Sequence, residues 1–292
     1  MFLCFRCICG KSQNKARIIC PHGISNCDSS IGSIPWQAGL VSRRKYRPWC
    51  GGALINEKYV LTAAHCVKGR KPYTFDIILG DTDWTTRREA LELRRHVSNI
   101  YIHPQFGQRA MFDYDFALLR LHSPIEFHLN NFIRPVCLPF YDKKDSLTGQ
   151  TGTVSGWGVV DPKTPSVQAK VLQKVSVRVI DSSECRNSYP VSAVTNTMFC
   201  AKANSTDSCY GDSGGPFTIS YDGIHVLEGI ISWGKNCAKS QWPGVYSSIG
   251  TVLKWIHDYT TDSESCWQDS VGAFATSTEN NAPTVNFLLN GK

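Results

Sequence analysis

The strongest constraint on the fold of this chain is its punctuation. Between residues 18 and 261, short apolar runs alternate with Gly, Pro, Asn and Asp breaks. Runs this short suit strands, and breaks this frequent suit antiparallel turns, so the pattern predicts an all-β domain built as a barrel or a sandwich. Ala53 to Leu61, Val175 to Val179 and Val226 to Trp233 read as strands, and polar and apolar positions alternate between Gln168 and Val179. One helix is expected near the end of this region, where Val252, Leu253, Trp255, Ile256 and Tyr259 share one apolar stripe. Residues 1–17 form a short Cys-containing segment, and 262–292, rich in Ser, Thr and Asn, read as a flexible tail. There is no repeat of fixed period.

Thirteen cysteines among 292 residues follow neither a paired CxxC pattern nor Cys/His metal spacing. They read as a disulfide framework made in an oxidising compartment, so the chain is expected to be secreted and extracellular. The opening MFLCFRCICGK is a poor leader, its apolar run broken by Arg6, which suggests a truncated or processed start. No run is long and apolar enough to span a membrane. The net charge of +7 favours acidic partners. Its basic residues lie in short clusters, Arg43, Arg44, Lys45 and Arg47 being the densest, and no basic stripe with interleaved aromatics points to nucleic acid. Asn204-Ser205-Thr206 is a glycosylation sequon.

Chemistry-bearing residues stand out by context. Ser213 lies in Gly211-Asp212-Ser213-Gly214-Gly215-Pro216, where the glycines let backbone N–H groups turn toward one point. The N–H groups of Gly211 and Ser213 are candidates for an oxyanion hole. His65 lies among small residues in Leu61-Thr62-Ala63-Ala64-His65-Cys66; an isolated histidine of this kind is more often a satisfied core residue than a base. Asp115 opens the apolar run Phe116-Ala117-Leu118-Leu119-Arg120-Leu121, so its carboxylate is expected to be partly buried and to need a donor, such as an imidazole N–H. Asp113, two residues upstream, is its rival.

The stretches TAAHC, DFALLRL and GDSGGP, in that order, resemble the trypsin/chymotrypsin family of serine peptidases, and the order His, Asp, Ser sets the chain apart from subtilisins and α/β-hydrolases. Further matches run along residues 9–260: Ile34-Pro35-Trp36-Gln37, Cys50-Gly51-Gly52, Arg134-Pro135-Val136-Cys137-Leu138-Pro139, Ser155-Gly156-Trp157-Gly158, Ser232-Trp233-Gly234 and Pro243-Gly244-Val245-Tyr246. The resemblance implies two packed six-stranded antiparallel Greek-key barrels, about 18–134 and 135–261, with a C-terminal helix. It implies a serine endopeptidase in which Ser213 attacks the scissile carbonyl, His65 relays the proton and Asp115 orients the imidazole. Ser232 resembles the serine that bonds the triad carboxylate.

Specificity is implied by Asp207, six residues before Ser213, at the family's position for the floor of the primary pocket. A carboxylate there resembles trypsin and calls for a substrate Arg or Lys, and Gly234 and Gly244 match the pocket walls. Protein substrates with Arg or Lys at the cleavage site and protein protease inhibitors are the expected partners, with sulfated glycans a further candidate for the basic cluster beside Cys50. No cofactor is expected. Asp81 and Asp83 resemble the start of the family's calcium loop, but Glu89 and Glu92 are shifted from its ligand positions, so a solvated loop is the reading and calcium stays open. Pro243 resembles members without sodium-dependent activation.

The resemblance pairs Cys50 with Cys66, Cys185 with Cys200, Cys209 with Cys237, and Cys9 with Cys137, the last holding a propeptide to the domain. Another family bridge has lost both partners, at about Gly152 and around Thr218 to Tyr221. Zymogen activation is expected at Arg17-Ile18, with the freed Ile18 amine pairing to Asp212. The family's Gly-Gly after the cleaved bond is replaced by Cys20-Pro21, in a stretch longer than usual, and the spacing of Cys20 and Cys27 suggests a bridge that pinches off this loop. This departure raises the alternative of a silent pseudo-protease that binds without cutting, although no triad residue is lost.

Overall fold

The computed structural model describes residues 8–12, 27–28, 32–86, 92–130, 132–142, 144–159, 167–190, 192–202, 211–235, 242–264 and 266. After a two-residue strand, β1 (Cys27–Asp28), six strands close into a barrel: β2 (Gln37–Ser42), β3 (Pro48–Leu54), β4 (Tyr59–Thr62), β5 (Phe75–Leu79), β6 (Leu93–Ile102) and β7 (Ala117–Leu121). Their order around the barrel is β2-β3-β4-β7-β6-β5. Six more follow: β8 (Thr151–Gly156), β9 (Gln173–Val179), β10 (Met198–Lys202), β11 (Pro216–Tyr221), β12 (Ile224–Trp233) and β13 (Gly244–Ser248). The second ring runs β8-β9-β10-β13-β12-β11 and closes through β8–β9 pairing, with β1 added along β9.

Both rings therefore share one connectivity. Counting within each barrel, the strands run first, second, third, sixth, fifth, fourth. The chain carries this structural repeat without a repeat in its sequence, because the pattern demands only short alternating runs and turns.

Closure explains why the strands read as dense apolar runs. β4 and β5 are buried along their whole length. Leu40, Leu54, Leu61, Ile77 and Leu118 fill the first interior. In the second, the rings of Phe199, Phe217 and Tyr246 meet at centroid distances of 5.0 to 5.4 Å, with Val154, Val177 and Ile231 around them. A Cβ on Gly152 would lie 2.3 Å from Phe217, so aromatic packing fills the space beside this glycine.

The apolar run Ala53 to Leu61 is two strands, not one. β3 ends at Leu54 and β4 starts at Tyr59, and the Asn56 side chain accepts from the N–H groups of Lys58 and Tyr59, which turns the chain between them. Helix α1 (Ala64–Val67) follows β4, α2 (Ser182–Ser188) is capped by Asp181, and α3 (Leu253–Tyr259) ends the domain. In α3 the stripe buries Trp255 and Ile256, with Val252 just before it, against the first barrel. Each such side chain contributes about 1.5–3 kcal/mol, so the last helix fastens the end of the second half onto the first.

Residues 262–264 continue this strapping. Asp262 accepts from the Tyr59 hydroxyl (2.9 Å) and from Arg120 (2.6 Å), and Asn56 donates to Ser263. Burial, then Asp262, raises the Tyr59 phenol, while the same hydroxyl and Arg120 bring the Asp262 carboxyl down against the effect of burial. Cys266 is buried beside the Cys9–Cys137 disulfide and is itself disulfide-bonded, and its carbonyl accepts from Leu138 N–H at 2.9 Å. The rest of the segment read as a tail lies outside the described residues.

Candidate active site

Three turns, each fixed by backbone geometry, bring His65, Asp115 and Ser213 to the seam between the barrels. His65 follows β4 and sits in α1, which the Cys50–Cys66 disulfide ties back to β3. Asp115 precedes β7. Tyr114 adopts a left-handed φ of 49°, and Phe116 N–H bonds back to the Tyr114 carbonyl at 2.7 Å. That tight turn aims the carboxylate inward. Ser213 precedes β11, and its carbonyl accepts from Gly51 N–H of the opposite barrel at 2.8 Å. Gly214 must be glycine: its φ is +82°, and a Cβ would lie 2.2 Å from Thr62 Oγ1 and 2.5 Å from the Gly51 carbonyl.

Asp115 is fully buried and its charge is met on three sides. His65 Nδ1 lies 2.7 Å from Oδ2, the His65 backbone N–H donates to Oδ1 at 2.8 Å, and the Ser232 hydroxyl donates to Oδ2 at 2.6 Å. Ser232 reaches it through a bulge. β12 and β13 pair Ile231 with Tyr246 and then Trp233 with Val245, so Ser232 is the extra residue and its side chain is turned out of the ladder. With Nδ1–H donated to a carboxylate, the imidazole presents its Nε2 lone pair outward.

Asp113 has a different job. It is also fully buried, but it accepts from Arg109 (2.6 and 3.1 Å) and from the hydroxyls of Thr195 and Thr197 (2.7 and 2.8 Å). Burial pushes its carboxyl up, and these donors outweigh that and bring it below the usual value.

Ser213 is half-buried. Its carbonyl lies 3.6 Å from Cys66 Sγ, and His65 Nε2 lies 3.8 Å from the same sulfur, so the serine backbone and the outer imidazole nitrogen flank one disulfide. Among the described residues the Ser213 hydroxyl makes no hydrogen bond. The N–H groups of Gly214 and Gly215 are taken up by the Ile231 and Asp212 carbonyls. Those of Gly211 and Ser213 have no partner among the described residues. Gly211 has φ +99°, and a Cβ there would strike the Gln168 amide at 2.3 Å. The Asp212 carboxylate lies against Gly156 and Gly158 and accepts from Gly158 N–H at 2.7 Å.

Gly234 and Gly244 adjoin one another: a Cβ on the first would lie 3.9 Å from the second's Cα. Chain neighbours aside, no other heavy atom of the described residues lies within 4 Å of that Cβ. Tyr189 packs between Trp233 and Trp242, and the Tyr189 hydroxyl donates to the Pro243 carbonyl. Asp207, Arg17, Ile18, Asn204, Cys20 and the pair Cys209 and Cys237 lie outside the described residues. Cys185 and Cys200 are bonded, as are Cys9 and Cys137. Among the described residues only Cys50, His65 and Cys66 bring three potential metal-ligand atoms together, and two of those are joined sulfurs. Glu89 is outside the description, whereas Asp81 is buried.

A family model of trypsin matches residues 24–256. The chain belongs to the trypsin family. It is 37% identical over 246 residues to mouse vitamin K-dependent protein C, covering 82% of this chain and 52% of that protein. It is 34% identical over 258 residues to CLIP domain-containing serine protease B9 of Anopheles gambiae, covering 80% and 62%. The chain thus spans about half to three fifths of the length of these relatives. In this trypsin-family domain, sequence reasoning missed Phe112, whose ring stands edge-on to His65 at 5.5 Å and stacks on Trp233 at 6.0 Å. It also missed that the Gln168 amide lies against Gly211. Nothing local marks either residue, since each acts through a neighbour distant in sequence.

Proposed function

We propose that this chain is a serine endopeptidase that cleaves after Arg or Lys through an acyl-enzyme intermediate, and that it is made as a zymogen activated by cleavage after Arg17. The observation that carries the reading is the buried Asp115 carboxylate shared by His65 Nδ1 and the bulged Ser232 hydroxyl. An imidazole held this way keeps one tautomer and can take a proton at Nε2.

As the Ser213 oxygen bonds to the scissile carbonyl carbon, its proton passes to His65. Asp115 stays ionised beside the imidazolium. The carbonyl oxygen gains negative charge and is met by the N–H groups of Gly211 and Ser213. Collapse of the adduct breaks the C–N bond, and the leaving amine takes the proton back. Water then repeats the sequence against the acyl-serine, and no cofactor is required.

Asp207, on the motif spacing, supplies the anion that pairs with substrate Arg or Lys, and the bare Gly234 and Gly244 leave room for the long side chain. Asp212 is the acceptor proposed for the Ile18 amine. Secretion is supported by the disulfides, which persist in oxidising compartments. Protein substrates and protein inhibitors follow as partners, with sulfated glycans a secondary candidate.

A labelled fluorophosphonate tests the reading. It is expected to modify Ser213 after cleavage at Arg17–Ile18, to leave the uncleaved chain unlabelled, and to fail on Ser213→Ala. A peptide library should then show cuts only after Arg and Lys. No labelling after complete cleavage would make the chain a silent binding protein.

A further inference from the structure

Cys266 is disulfide-bonded, and no bond between described side chains accounts for it. The other cysteines with described side chains are already joined, Cys9 to Cys137, Cys50 to Cys66 and Cys185 to Cys200. The partner is therefore one of Cys4, Cys7, Cys20, Cys27, Cys209 and Cys237. The family resemblance pairs Cys209 with Cys237, and the spacing of Cys20 and Cys27 suggests their own bridge. That leaves the two cysteines ahead of Cys9.

Cys266 reaches its place through a series of hydrogen bonds. After α3, Ser263 N–H bonds the Thr260 carbonyl at 3.1 Å, and the Ser263 hydroxyl accepts from Asn56 at 2.9 Å. Glu264 N–H donates to the Glu57 carboxylate at 3.2 Å, and Leu138 N–H donates to the Cys266 carbonyl at 2.9 Å. The N-terminal segment is gripped as firmly where it arrives. Gly10 N–H donates to the Pro135 carbonyl, and the Gly10 carbonyl accepts from His225 N–H, both at 2.9 Å. Gly10 has φ +68°, and a Cβ there would lie 2.5 Å from the His225 carbonyl and 2.9 Å from Cys137 Sγ. Both segments meet in one buried patch of Cys9, Cys137, Val226 and Cys266.

Covalent reach and side-chain alternation choose between Cys4 and Cys7. Two residues span about 7 Å at full extension, so Cys7 is confined to that distance from Cys9. A disulfide asks for Cα atoms about 4.4–6.8 Å apart, which this tether favours. Ile8 is 60% exposed and Cys9 is fully buried, so the chain entering the patch alternates outward and inward. On that alternation Cys7 falls on the inward side with Cys9, whereas Cys4 falls on the outward side.

We propose that Cys7 and Cys266 form a disulfide, so that the segment cut free at Arg17 stays joined to the trypsin-family domain by two bonds, the second fastening the chain after α3. Forming the bond joins the two Sγ atoms and releases two protons, and the two electrons reduce a disulfide oxidant of the oxidising compartment to a dithiol. The pairing goes beyond the endopeptidase reading and does not depend on it. It makes residues 262–266 a covalently held part of the domain.

The test maps the sulfurs of the full chain. Free thiols are first blocked by alkylation, and the unreduced chain is then denatured and digested with trypsin. Cleavage after Arg6 and Lys11 separates Cys7 and Cys9 from Cys4. The expected product is one species of three peptides, 7–11, 121–143 and 255–292, which comes apart on reduction. A species joining 255–292 to 1–6, to 18–43 or to any other cysteine peptide would overturn the pairing. A second measurement cuts the chain after Arg17 and follows segment 1–17 on a non-reducing gel. Cys9→Ser/Cys137→Ser is expected to retain the segment, and the further change Cys7→Ser/Cys266→Ser to release it. Release from the first variant would also overturn the proposal, and where that variant folds poorly the peptide map of the unaltered chain decides.

Discussion

Asp113 and Asp115, one residue apart from touching in sequence and both fully buried, send their carboxylates to opposite tasks. Asp115 meets His65 and Ser232 at the cleft, whereas Asp113 meets Arg109, Thr195 and Thr197 and so pins the loop before β7 to the second barrel.

The two asparagine variants should separate these tasks. Asp115→Asn would let the imidazole settle in the wrong tautomer, and kcat is expected to fall about 10⁴-fold, the magnitude known for this carboxylate in the trypsin family. Its thermal midpoint should change little. Asp113→Asn should keep kcat within a few-fold but lose about 2 kcal/mol of stability, read by thermal or denaturant unfolding. Equal kinetic losses in both would mean that the assignment of Asp115 over Asp113 is mistaken.

Ser232→Ala removes one donor from Asp115 and leaves the bulge backbone in place. A hydrogen bond to a charged group is worth about 1.5 kcal/mol, so kcat/KM is expected to drop about ten-fold. Thr at this position should restore most of that loss, because its hydroxyl can make the same bond. An unchanged rate in the Ala variant would show that the bond has no part in setting the imidazole.

Gly214→Ala should compromise folding rather than chemistry alone. The left-handed φ strains any side chain, and the new Cβ meets Thr62 Oγ1 and the Gly51 carbonyl at sub-contact distances. Low soluble yield, or a loss of about 3 kcal/mol or more in unfolding, is the expected readout. A normally stable Ala variant would contradict the close approach of the barrels at this turn.

Acid sensitivity should begin with His103. It is buried between Tyr114, stacked at 4.5 Å, and Trp255, edge-on at 5.0 Å. Burial pushes its imidazole down to about 4 from the ordinary 6.5, although Asp113 pulls the other way. Below pH 6.5 the unfolded chain binds a proton that the folded chain refuses until about pH 4. Stability therefore falls across that window, by at most about 3 kcal/mol, and this contribution levels off below it. The lowered carboxyls of Asp76 and Asp113 act later, since their contribution is full above 3.8 and fades only beneath it. His103→Asn keeps an acceptor for Gln105 N–H. It should flatten the slope between pH 6.5 and 4 even if it lowers overall stability, and an unchanged slope would rule out His103 as its source.

What could be read in the sequence was what is local. GDSGGP carries its own turn, and TAAHC carries a histidine with the cysteine that anchors it. The all-β class followed from turns and short runs, and the final helix from one apolar stripe. What could not be read depends on distant partners. The fate of Asp113 is decided by Thr195 and Thr197 on another barrel, the position of Phe112 by Trp233, and that of Gln168 by Gly211. The break of Ala53 to Leu61 into two strands escaped because its turn is made by an asparagine side chain inside an otherwise apolar run. The two six-stranded barrels came from the family resemblance and not from periodicity, because short alternating runs do not say which strand pairs with which.

The placement of Cys9 and Cys266 has a mechanical consequence. Both sulfurs sit in one small apolar patch with Cys137 and Val226, at the start of β12. Chain arriving ahead of Ile8 and chain departing past Cys266 is moored there together. A load applied ahead of Ile8 would be borne by the Cys9–Cys137 bond and the edge of one barrel, and the seam that holds His65, Asp115 and Ser213 in alignment would not carry it.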